Sequence, residues 1–212
     1  MTVRSIDLRL ETLAEHARLQ LGIPDDERPD PLDLLARATI LGLIETWRIV
    51  PDPELPRADA QWDGRAIYIR RSVTERAQRG DADASFTVFH ELSHALLGHN
   101  PRNRGVRDRR RQFGRYIEVD EEHADLLAGA LMAPERLANV DQFTDAAEFA
   151  RRFRMPIEKA AIRLEELKRR HRHRHGISRR IIQSGLEFDT GDYGLAIKAM
   201  MNNAEPTKRR RR

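Results

Sequence analysis

Two histidines and a glutamate stand in the order His90-Glu91-x-x-His94 within "ASFTVFHELSHALLGHN", residues 84–100. Imidazole and carboxylate are the side chains that hold divalent metals, and imidazole also moves protons near neutral pH. On a helix, residues four apart project from one face one turn apart, so His90 and His94 can aim ring nitrogens at a single ion. Glu91 then lies on the neighbouring flank, placed for a water beside the ion, which is the position of a general base. The bland alternative is a helix carrying polar residues on its wet face, because so short a motif arises by chance. A catalytic zinc usually takes three protein ligands and one water, so the motif needs one more His, Asp or Glu.

The chain has no cysteine, which excludes disulfides and thiolate ligands. Imidazole and carboxylate suit zinc, and Mn2+ or another divalent ion fits the same set. The downstream candidates are His99, Asp108, Glu118, Asp120, Glu121, Glu122, His123 and Asp125. Glu121 and Asp125 stand out as a pair four apart. If Glu121 faces the ion, Asp125 shares its face and can accept a hydrogen bond from the outer nitrogen of a ligand histidine. His123 lies about 200° around the helix from Glu121, so the two should not serve one ion. The competing reading of "DEEHAD" is an acidic, solvated helix start favoured by the dipole. Ser93 adjoins His94 only in sequence, so nucleophilic catalysis has no convincing triad. His99, Tyr116 and His123 are candidate donors to a developing oxyanion.

The elements that must position these groups follow from periodicity. Ile6, Leu10, Leu13, Ala17 and Leu21 recur at steps of three and four, predicting an opening helix that ends near Gly22. Asp30 as N-cap and Pro31 as first residue predict a short helix over about 31–39. The β-branched and aromatic run "LIETWRIV" at 43–50 predicts a strand, and "ADAQW-DG-RAIYIR" a hairpin whose Asp63-Gly64 suits a type I′ turn. Asp83 or Ser85 can cap the HELSH helix, which Gly98 ends. Further helices are expected over about 117–132, 144–153 and 156–171.

At 212 residues with 40% hydrophobic content, one substantial core plus a helical annex is the default. Charged residues make up 34%, so some segments should be highly solvated. No run approaches transmembrane length and no apolar leader opens the sequence, so the expectation is a cytoplasmic protein without membrane contact. The net charge of +4 is modest, yet the runs at 101–115, 168–180 and "KRRRR" at the end are strongly basic. They could attract nucleic acid or an acidic protein surface, the alternative being solvated loops and a disordered tail.

"SFTVFHELSHALLGH" followed by "EEHADLLAGALMAP" resembles the paired signature of the ImmA/IrrE family of zinc-dependent endopeptidases. In that family H-E-x-x-H is followed by a helix reading approximately E-x-x-A-N/D-x-x-A-x-x-L-L-M-P. Glu121, Ala124, Asp125, Ala128, Leu131, Met132 and Pro134 match it, with Ala133 inserted before the proline. "DGRAIYIR" resembles the family's hairpin before the active-site helix, and "FARRFRMPIEKAAIRLEEL" its C-terminal helical segment. The similarity spans about Ile23 to Leu167. It implies His90, His94 and Glu121 as metal ligands and Glu91 as general base, while Asp125, the outer partner that spacing suggests, stands at a family position that accepts Asn or Asp. His123 and the long Arg-rich connection depart from the common pattern.

The expected architecture is therefore α+β: a mostly helical zincin-like metallopeptidase domain over 1–140 with a small antiparallel sheet before the HExxH helix. A helical segment over 141–180 and a basic extension over 181–212 follow. The expected function is zinc-dependent hydrolysis of a peptide bond in a protein substrate. By the resemblance, that substrate is a helix-turn-helix transcriptional repressor, cleaved in stress responses or mobile-element control. The rival is a DNA-binding regulator with a structural or vestigial metal site, in which the helix pair 144–171 and the basic run at 168–180 contact phosphates.

Overall fold

The computed structural model describes residues 3–25, 30–99 and 110–181, with side chains placed over 9–25, 30–99 and 118–172. The expectations for the basic run at 101–115, except the backbone from Arg110, for the side chains of the run at 168–180 beyond Arg172, and for the residues after Ile181 lie outside the described residues. The first element, α1 (Val3–Gln20), buries Leu10, Ala14 and Ala17 at steps of four and three, with Leu21 just beyond its end. Helix α2 (Pro31–Ile40) starts as expected: the Asp30 carboxylate accepts from the N–H groups of Leu32 at 2.8 Å and Asp33 at 3.3 Å, with Pro31 in the first turn.

Strands β1 (Thr46–Val50), β2 (Ala60–Trp62) and β3 (Ala66–Arg70) form one sheet in the order β1-β3-β2. The hairpin β2–β3 is antiparallel, and β1 pairs parallel with β3, so the sheet is mixed rather than wholly antiparallel. The connection after Pro51 carries the chain to the far side of the position β3 will take, so β2 becomes an edge. The hairpin turn also differs from expectation. Among its residues only Gly64 has positive φ, at 98°, whereas a type I′ turn needs two such residues. Asp63 instead accepts from the N–H groups of Arg65 and Ala66 at 2.8 and 2.7 Å, a side-chain cap that takes over from the turn backbone.

A helix absent from the pattern reading, α3 (Arg71–Gln78), follows β3 directly and buries only Val73, Thr74 and Ala77. It ends at Gly80, whose φ of 80° turns the chain. Helix α4 (Ala82–Leu96) carries HELSH. Its N-cap is Asp81 rather than Asp83 or Ser85: the Asp81 carboxylate accepts from Ala84 N–H at 2.8 Å and pairs with Arg76 at 3.1 Å. These interactions hold its pKa below the usual carboxylate range. An Asp81→Ala variant should lose about 1 kcal/mol of stability in denaturant titration near neutral pH. Because the folded-state pKa is depressed, that difference should be present above the ordinary carboxylate pKa and shrink as pH falls through the folded-state value.

Helix α5 (Arg110–Met132) begins seven residues before the expected start at 117 and stops before Pro134, as the sequence implies. Helix α6 (Ala146–Phe153) is capped by Asp145, which accepts from Glu148 N–H at 2.8 Å, while the Glu148 carboxylate accepts from Thr144 N–H at 3.1 Å. Helix α7 (Ile157–Ile181) runs ten residues past the expected end. All placed side chains belong to the compact unit Met1–Arg172. Phe149 and Phe153 of α6 and Leu164 and Leu167 of α7 lie in the same apolar cluster as Phe89, Leu92, Leu127 and Leu131. Among the described residues no helix is long and apolar enough to cross a membrane.

Candidate metal centre

The rotation of α4 is fixed by its apolar stripe. Val88, Phe89, Leu92 and Leu96 are all buried, so the face bearing His90 and His94 must look across to the next long helix. That neighbour is α5, which packs against α4 more extensively than any other pair of elements does among the described residues. Ala124 and Ala128 are fully buried on α5, and their small side chains let the two helices approach closely. Glu121 and Asp125, on the same face of α5, are thereby carried to His90.

The convergence is tight. His90 Nε2 lies 3.0 Å from His94 Nε2 and 3.1 Å from Glu121 Oε2, and His94 Nε2 lies 3.4 Å from the same Glu121 oxygen. Ligand atoms about 2.0–2.1 Å from a tetrahedral zinc are about 3.3 Å apart, so these three atoms have nearly the dimensions of one face of such a tetrahedron. Among the described residues, His90, His94 and Glu121 form a group that could hold a metal ion. Their chemistry fits a divalent ion: two imidazole nitrogens and a carboxylate oxygen converge within 4.8 Å of one another, a set that could hold one. Burial acts to lower the His90 pKa, yet Asp125 and Glu121, each accepting from one ring nitrogen, push it up to about 9.

Asp125 takes the outer nitrogen of His90. Its Oδ1 lies 2.9 Å from Nδ1, and its Oδ2 is held by Lys159 Nζ at 2.5 Å. Burial alone would raise the Asp125 pKa; the contacts with His90 and Lys159 overcome this and lower it. Lys159 reaches in from α7 across the Phe86 ring, 5.1 Å from its centroid. An Asp125→Ala variant should weaken divalent-metal affinity about 10–100-fold in competition with a chelator, because the His90 ring loses the acceptor that fixes its tautomer and orientation.

Glu91 points to the other flank, where its Oε2 accepts from the backbone N–H of Trp62 at 2.6 Å. In the β2–β3 ladder Trp62 is the edge-strand residue whose N–H faces away from β3, so the carboxylate sits against the free edge of the sheet. Burial raises the Glu91 pKa, opposed by positive charge at His90 and His94 and by the Trp62 hydrogen bond.

The remaining candidates separate cleanly. His99 is not beside the three converging atoms; its Nδ1 lies 2.8 Å from His94 Nδ1, on the outer side of that ring. Asp120 lies 3.5 Å from His99 Nε2. Glu118 and Glu122 are exposed and His123 is half-buried. Asp108 and the side chain of Tyr116 lie outside the described residues. Nothing in the sequence signals Lys159 beside Asp125 or the Trp62 N–H on Glu91. A lysine in an amphipathic helix reads as solvated, and a backbone N–H carries no side-chain signal.

No curated protein and no solved structure matches the chain. A peptidase family described as "IrrE N-terminal-like domain" matches residues 54–165, more than half of the 212. The match runs from the connection before β2 into α7 and contains Glu91, His90, His94, Glu121, Asp125 and Lys159. With that span matched, the chain belongs to the IrrE N-terminal-like family of peptidases.

Proposed function

We propose that the protein is a zinc-dependent endopeptidase with His90, His94 and Glu121 as metal ligands and Glu91 as general base. The observation that carries this reading is the convergence of His90 Nε2, His94 Nε2 and Glu121 Oε2 within hydrogen-bonding distance of one another, with the half-buried Glu91 carboxylate on the adjacent flank. A bound divalent ion would supply Lewis acidity, acidifying a water and polarising the scissile carbonyl. The chain's own groups supply the rest. Asp125 and Lys159 hold the His90 ring so that its Nε2 lone pair faces inward. Trp62 N–H fixes one Glu91 oxygen and leaves the other to accept the proton of the attacking water and return it to the leaving amine. Burial favours the protonated form that makes this return possible.

The substrate in this reading is a helix-turn-helix transcriptional repressor, and the setting is cytoplasmic control of gene expression. Support comes from the family's paired signature, a fold-level warrant. Co-expression with the helix-turn-helix proteins encoded beside it, scored for a single specific cut, tests the assignment. The expected result is a cut that chelation abolishes; intact repressors alongside cleavage of an unrelated protein would overturn the substrate. Duplex binding through the segments 101–115 and 168–180 is a separate proposal. Binding that weakens steeply with salt and flattens when 168–180 is deleted would support it, and no measurable duplex binding by the full chain would remove it.

A further inference from the structure

We propose that His99 and Asp120 form a second outer relay that positions His94, the counterpart of Asp125 and Lys159 behind His90. The proposal rests on the metal reading above.

The placement of His99 follows from how α4 ends. Gly98 has φ of 66°, its N–H donates to Ala95 C=O at 3.0 Å, and His99 N–H donates to His94 C=O at 3.0 Å. This is a Schellman ending, which folds the second residue past the helix back over the residue five earlier in the chain. The pair brought together this way is ordinarily apolar. Here both members are histidines, and their rings meet edge-on with centroids 5.0 Å apart. The loop is pinned from the sheet side as well, because Trp62 Nε1–H donates to His99 C=O at 2.8 Å.

A hydrogen bond between two imidazole nitrogens needs one donor and one acceptor. If His94 offers the Nε2 lone pair to an ion, its proton is on Nδ1, so His99 Nδ1 must accept. The proton of a neutral His99 then sits on Nε2, the atom facing Asp120 Oδ1 at 3.5 Å. One assignment therefore fixes every nitrogen from Asp120 to the centre. His99 orients the His94 ring and passes the carboxylate's influence on at one remove, and in this arrangement it is a positioning residue, not a ligand. Trp62 joins the two flanks, with its backbone N–H on Glu91 and its indole N–H on the His99 carbonyl.

The test measures zinc affinity of the full chain by competition with a chromogenic chelator. His99→Phe should weaken binding about 10–100-fold. His99→Asn, which places an amide oxygen where Nδ1 stood, should restore affinity to within about a few-fold of the unmodified protein, and Asp120→Ala should lose affinity in the same direction but less. Long-range 1H–15N correlation on the zinc-loaded, unsubstituted protein should show His94 protonated at Nδ1 and His99 at Nε2 only. Unchanged zinc affinity in His99→Phe, or a proton on His99 Nδ1, would overturn the relay while leaving the metal reading in place. If His99→Phe fails to fold, the correlation spectrum of the unsubstituted protein decides. Failure of the unsubstituted chain to bind zinc removes the metal reading and the relay with it.

Discussion

A Glu91→Gln variant should bind zinc as the unmodified protein does and lose peptide hydrolysis by about 10²–10⁴-fold, the range over which a positioned general base acts. Glutamine has the same shape and keeps an oxygen to accept the 2.6 Å hydrogen bond from Trp62 N–H, so the edge strand and α4 have no reason to move. What disappears is the ability to take a proton. Zinc content should hold because Glu91 is outside the group of converging ligand atoms, His90, His94 and Glu121. Single-turnover hydrolysis with metal content measured on the same sample checks both halves. Retained hydrolysis would remove the general-base role, and lost zinc would make Glu91 part of the metal-binding shell.

Replacing Arg163 with Met should destabilise the fold by about 3–5 kcal/mol, the cost of breaking a buried ion pair from one side. Arg163 is 2% exposed and reaches three parts of the chain at once. Its guanidinium donates to Glu11 of α1 at 2.6 Å, to Glu166 of α7 at 2.8 Å and to the carbonyl of Ala133, just past α5, at 2.9 and 3.0 Å. Burial would lower its pKa, but the carboxylates of Glu166 and Glu11 outweigh that and raise it. Methionine fills most of the volume yet leaves two buried carboxylates and a carbonyl short of their donor. Arg170 lies 3.5 Å from both Glu11 and Glu166 and can compensate only in part. The measurement is chemical denaturation of metal-free protein, since a bound ion would add its own stabilisation. A loss under about 1 kcal/mol, as for an exposed pair, would contradict the burial argument.

What was legible in the sequence is what depends on neighbours along the chain. Asp30-Pro31 starts α2 and Gly98 ends α4 because capping involves only a few adjacent residues. The spacing of His90, His94, Glu121 and Asp125 was legible for the same reason: each pair sits one helical turn apart, and one helix-on-helix contact brings the pairs together. The N-cap of α4 was not legible, because Asp81, Asp83 and Ser85 all suit the position. Gly80 decides among them by ending α3 one residue before Asp81, and α3 is itself faint, with only three small or medium side chains buried over eight residues. The parallel pairing of β1 with β3 depends on the path of the connection, not on strand composition. Lys159 is 34 residues from Asp125, and only the packing of α7 brings it there.

The central claim is that one divalent ion sits between His90, His94 and Glu121. Anomalous diffraction at the zinc absorption edge, on crystals of the zinc-loaded protein, tests it most directly. A single strong peak is expected within about 2.0–2.2 Å of His90 Nε2, His94 Nε2 and a Glu121 oxygen. A peak held instead by His99 or His123, or none at this position in protein carrying stoichiometric zinc, would contradict it.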